Sequence, residues 1–245
     1  MVDSYAATQA GDASAIRVGD VLNRAFALFA ASWAPFVGLS LIVFAPQFLF
    51  GLLVSGARGV GLALGGNILQ IVCTSLADAA IIYGVVQKLR GRDFTVPESL
   101  GAGFGRLGAV VGLSLVVGIF AGLATLLLVV PGIVVWCMYA VAIPVCVVER
   151  VGVGASMGRS TFLTKGNRWR IFGIFALVMI AGGLIGVVLG ALAAFVGGVT
   201  LAGIVGYLVE SAAGAFGAVI SGVLYHELRA AKEGVDIDRI AAVFD

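Results

Sequence analysis

Charge is what this sequence has least of. Asp, Glu, Lys and Arg make up 11% of its 245 residues, hydrophobic residues make up 61%, and mean hydropathy is +1.13. That balance excludes a water-soluble globular domain. Histidine occurs once, at His226, and the three cysteines (Cys73, Cys137, Cys146) stand inside apolar runs without paired spacing. Neither a zinc site nor a disulfide framework can be built from that set, so the cysteines are expected to be buried thiols and no metal or other cofactor is expected. Nucleotide-binding loops and catalytic triads are also missing, which points away from an enzyme. No Lys or Arg precedes Arg17, so residues 1–16 lack the basic start and apolar centre of a cleavable signal and read as a disordered cytoplasmic tail. A net charge of +2 gives no basis for nucleic-acid binding.

What is present is long uncharged sequence. Residues 107–148 contain no charge, and as one helix they would cover about 60 Å, twice a hydrocarbon core of about 30 Å. Two spans are required, about 107–130 and 131–148, with Pro131-Gly132 as the turn. The run 171–226 holds Glu210 as its sole formal charge, and Gly197-Gly198 divides it into spans at about 171–196 and 199–225. Upstream, Ser32-Trp33-Ala34-Pro35 separates a short interfacial helix from a first span at about 36–56. A second follows at about 62–86. The expected fold is all-α: a membrane domain over 17–228 with six transmembrane helices in three hairpins, accompanied by short interfacial helices.

The basic residues orient this bundle. Fourteen of the fifteen fall in the segments before span one, between spans two and three, between four and five, and after six, and Arg58 alone falls on the other side. Lys and Arg are retained inside during insertion, so both termini are expected in the cytoplasm. A repeat is also visible. Val37-Gly38-Leu39-Ser40-Leu41-Ile42-Val43 and Val111-Gly112-Leu113-Ser114-Leu115-Val116-Val117 differ at one position.

Three polar features could carry function. Asp78 lies about 15 Å from the inner edge of span two, at a cost of about 2.5–3.5 kcal/mol if charged. Asn67, Gln70 and Thr74 precede it at helical steps, so the four line one face and are expected to look into the bundle, as interhelical hydrogen-bond glue or as a solute site. Glu210, beside Tyr207 and Ser211, lies about 9 Å farther out, which argues against a shared two-carboxylate or metal site. The loop between spans four and five carries Arg150, Arg159, Lys165, Arg168 and Arg170 with Trp169. It is expected to lie on the membrane surface, stop a short helix at Gly166, and anchor the bundle or grip anionic lipid headgroups. Beyond residue 228, a tail (229–245) should form a short amphipathic helix from Asp236, with Ile237, Ile240 and Phe244 on one face, docking on the protein itself or on a partner. Gly182, Gly186 and Gly190 form a small-residue ridge for an internal contact or a homo-oligomer.

Pro144, Glu149, Gly152, Arg159-Ser160, Leu163-Thr164-Lys165-Gly166 and Arg168-Trp169 resemble the central motif of bacterial six-helix proteins described as the membrane domain of glycerophosphoryl diester phosphodiesterases. The ending Glu227-Leu228-Arg229, Lys232-Glu233-Gly234 and Val243-Phe244-Asp245 is similar to the alphaproteobacterial branch of that family. In such relatives, catalysis resides in a separate soluble barrel, so the resemblance implies a membrane module without that activity. The leading reading is therefore a non-enzymatic inner-membrane module that binds lipid or a partner through its basic face. The second is a small-solute or ion transporter built on Asp78.

Overall fold

A computed structural model describes residues 16–54 and 59–244, with side chains through Gly234. Every regular element in it is a helix. The opening helix α1 (Val18–Ala31) buries Val21 and Ala25, one turn apart, and ends at Ser32. The next helix, α2 (Trp33–Leu53), starts at once, because Pro35 sits in its first turn, where a missing N–H costs nothing. The interruption expected over four residues is thus confined to Ser32. Arg58 and residues 1–15, all but the last residue of the expected tail 1–16, lie outside the described residues. Ile16, placed by sequence in that tail, is buried and donates its N–H to Asn167 Oδ1 at 3.2 Å.

Helix α3 (Val60–Leu89) is the centre of the bundle and packs on α2, on α4 (Val96–Phe104), on α5 (Leu107–Leu127), on α7 (Ala142–Val148) and on α9 (Arg168–Phe244). Its inner half is a run of small and branched residues, with Ala77, Ala79, Ala80, Ile81, Ile82 and Val85 buried on all sides. Helix α4 opens with a capping box. The Glu98 N–H donates to Thr95 Oγ1 at 3.4 Å, and the Thr95 N–H donates to Glu98 Oε2 at 3.0 Å.

The turn after α5 lies at Leu128, whose backbone is extended, and Pro131-Gly132 stands inside the first turn of α6 (Val129–Met138). Proline is tolerated there, so the break falls before it. Gly132 serves close approach: a Cβ at that position would lie 2.1 Å from Thr125 Oγ1 and 2.8 Å from Thr125 Cα. The stretch from 129 to 148 is not one rod. It breaks at Tyr139–Val141 between α6 and α7, around Ala140, whose carbonyl Pro144 leaves without a donor because proline has no N–H.

The short helix α8 (Val153–Thr164) follows and stops as expected, with Gly166 at φ 89. Helix α9 loses helical dihedrals at Gly197 and at Gly198, whose φ of 69 favours glycine. Its arms, 168–196 and 199–244, fold back on each other, since a Cβ on Gly186 would lie 3.7 Å from Val209 Cγ1. Gly182 and Gly190 meet nothing within 4 Å. The second arm continues as helix through Gly234 to Phe244, so the tail extends this helix instead of starting a new one at Asp236. Glu233, tied by Arg159 and Arg229, holds the helix just before that glycine.

Among the described residues, five helical stretches are long and apolar enough to cross a membrane: α2, α3, α5, Val129–Val148 and Arg168–Gly234. Their outer faces carry large apolar side chains such as Leu126, Leu127, Phe195 and Val199, each more than 80% exposed. Only a lipid solvent makes such surfaces favourable, and this is the build of a membrane-embedded protein. The repeated segments keep register. Phe36 and Val110, and likewise Leu39 and Leu113, stand at matching turns of two 21-residue helices and are fully buried.

Candidate functional site

The basic segments meet at one end of the bundle. Arg24 of α1 pairs with Glu227 of α9, and Arg159 of α8 pairs with Glu149 at 3.1 Å and with Glu233 of α9. Arg229 Nε donates to Glu233 at 2.6 Å, and the Tyr225 hydroxyl donates to Glu149 at 2.9 Å. The segment between α3 and α5 packs on α2 through Phe94, whose ring lies 5.1 Å from that of Phe36. Burial works against the Arg159 charge, but hydrogen bonds to Glu233 and Glu149 outweigh it and hold the guanidinium above its usual range. Arg159, offered by sequence as a headgroup ligand, is therefore a latch between α8 and the second arm of α9. Glu149 accepts from its Nε and Glu233 from its Nη2.

Helix α8 is docked on the bundle through its hydroxyls. Its buried face is Ser156, Ser160, Leu163 and Thr164. Ser160 and Thr164 donate to the Met138 carbonyl at 2.9 and 3.2 Å. That carbonyl is free because the Ala142 N–H turns to Tyr139 at the break between α6 and α7. Val153 and Met157 pack half-buried beside Val110 and Leu113.

After α8 the remaining loop cations gather differently. Lys165, Arg168 and Trp169 line a cavity of about 370 Å³ whose apolar walls are Ile133, Val134, Cys137 and Phe172. The Arg168 Nε is buried without a hydrogen-bond partner, and Trp169 is 71% exposed, its ring edge-on to Phe172 at 6.0 Å. Ile133 and Phe172 also border an apolar groove that extends to Trp136, Phe175, Met179 and Ile180. Arg170 lies apart, donating to Asn167 Oδ1 at 3.3 Å, and Arg150 is exposed in the turn before α8 with φ 55. Asn167, buried and bonded to Ile16, pins the residues that lead into α1 against this loop. A lone Asn before Arg168 gives no such signal in sequence.

The polar stripe of α3 does not act as one site. Asn67 donates back to Ala63 O of its own helix at 2.9 Å, and Asn67, Gln70 and Thr74 are exposed. Gln70 and Glu210 line one cavity of about 390 Å³ with Gln47, Tyr207 and Ser211, and the Gln47 Oε1 and Ser211 Oγ there are buried without partners. Asp78 lines another, of about 280 Å³, with Ser114, Trp136, Tyr139, Phe175 and Ser221. The two carboxylates thus stand in separate chambers. Gln47, Trp136 and Tyr139 escaped sequence reasoning because each sits on a different element from the carboxylate it accompanies.

Comparison with protein-family models, with curated proteins and with solved structures finds no match for this chain.

Proposed function

We propose that this protein is a non-enzymatic, six-span module of the bacterial inner membrane, three helical hairpins with both termini in the cytoplasm, which holds an anionic lipid at its basic face. The observation that carries the reading is the cavity between α6 and the start of α9. Its mouth offers the Lys165 ammonium and an unpartnered Arg168 Nε, and its walls are apolar. A phosphate-bearing headgroup would supply the acceptor that Arg168 lacks, and an acyl chain would continue past Ile133 and Phe172 into the adjoining groove. Trp169 sits at the junction of these two media, as interfacial tryptophans do. The break in α9 supports the sixth span, because 67 residues of helix measure about 100 Å. The likeness of this loop to glycerophosphoryl diester phosphodiesterase membrane domains accords with a module of this kind.

Native mass spectrometry of protein released from membranes tests the reading. Retention of anionic lipid in the wild type and its loss in Lys165→Gln/Arg168→Gln is the expected result. Bare wild-type protein, or retention that the double substitution leaves unchanged, overturns it.

A further inference from the structure

The Asp78 cavity shares no lining residue with the Lys165–Arg168 cavity, and its chemistry has the opposite sign. Asp78 comes from α3, Ser114 from α5, Trp136 from α6, Tyr139 from the break that follows, and Phe175 and Ser221 from the two arms of α9. Five elements converge on one chamber. Among the described residues the Asp78 carboxylate has neither a hydrogen bond nor an ion pair. No Lys, Arg, His, Asn or Gln lines the space. The Ser221 proton is committed to the Ala140 carbonyl at 3.0 Å, and Ser114 accepts from Ser75 at 3.2 Å.

An anionic solute would therefore find no cation to receive it. A cation would find a carboxylate and aromatic rings. The faces of Trp, Tyr and Phe attract ammonium groups, most strongly where water is excluded. Trp136 and Phe175 are held edge-to-face, with ring centroids 4.8 Å apart, which fixes their orientation in the wall. The volume, about 280 Å³, falls just below the usual range of ligand pockets, about 300–1,000 Å³, and limits the guest to a few heavy atoms.

We propose that this chamber binds a small organic cation, a protonated amine or quaternary ammonium, with Asp78 as its countercharge and Trp136, Tyr139 and Phe175 as its aromatic wall. The test is calorimetric titration of the full chain in maltoside micelles with choline, alongside 3,3-dimethylbutanol, which has the same shape without the charge. Saturable choline binding, no response to the alcohol, and at least tenfold weaker binding in Asp78→Asn are expected. Absence of choline binding in the wild type, equal binding of the alcohol, or unchanged affinity in Asp78→Asn overturns the assignment. Where Asp78→Asn fails to fold, Gly217→Leu serves instead. A Cβ at Gly217 meets nothing within 4 Å, so the added side chain grows into the chamber while the carboxylate stays. Loss of choline binding there supports the site, and retained binding rejects it.

Discussion

The hydroxyl of Ser221 donates to the carbonyl of Ala140 at 3.0 Å, and that carbonyl is the one Pro144, four residues on, leaves without an intrahelical donor. A membrane interior offers no water to repair such a gap, so a neighbouring helix must do so. The Tyr207 hydroxyl donates to the Leu41 carbonyl in the turn ahead of Pro46. Both donors sit on the second arm of α9, which is thereby tied to α2 and to the break between α6 and α7.

Ser221→Ala should destabilise the fold by about 1 kcal/mol, since the orphaned carbonyl has no alternative partner. Pro144→Ala restores an N–H to the helix, so the double variant should lose less than the sum of the single losses. Thermal unfolding of the four proteins in micelles closes this cycle, and strict additivity would remove the link between Pro144 and Ser221.

Gly132→Ala places a methyl against Thr125, whose Cα lies 2.8 Å from the new position, so α5 and α6 must separate. A loss of about 1–3 kcal/mol is expected. Gly118→Ala, in open surroundings on α5, is the control. It should unfold at or above the wild-type temperature, because alanine is the better helix former.

The latch at the basic end should respond to acid. Burial alone would raise Glu233, but hydrogen bonds from Arg229 and Arg159, with their charges, hold it below the ordinary glutamate value of 4.5. Its folded value is thus the lower one, so its contribution is complete above 4.5 and fades as pH falls through the depressed value. Hydrogen exchange across residues 225–234 should quicken in that acid range beyond the intrinsic change. In Arg159→Gln, protection should already be reduced at neutral pH, with a smaller acid response. An acid response identical in the two proteins would separate Arg159 from the latch.

Much of this architecture could be read from residues in order. The uncharged run 107–148 demands a turn, and the glycine pair 197–198 marks another, because both follow from helix length and backbone freedom along a single strand of sequence. The exact site of a break is less legible. Pro131 looks like the breaker of its run, yet the helix ends at Leu128 and restarts with that proline in its first turn. The partner of each polar residue is least legible of all. Arg159 among five loop cations looks free, and its capture by Glu149 and Glu233 depends on three-dimensional neighbours 10 and 74 residues away. Likewise the exposed Asn67 satisfies its own helix, while Asp78 finds its companions on four other elements.

The most direct test of the lipid site is photo-crosslinking from its wall. With benzoylphenylalanine at Phe172, which borders both the Lys165–Arg168 cavity and the apolar groove, irradiation in vesicles containing phosphatidylglycerol and phosphatidylethanolamine should give an adduct enriched in the anionic lipid. Arg168→Gln should erase that enrichment. Adducts that simply follow the composition of the vesicle, with or without Arg168, would contradict a lipid site at this cavity.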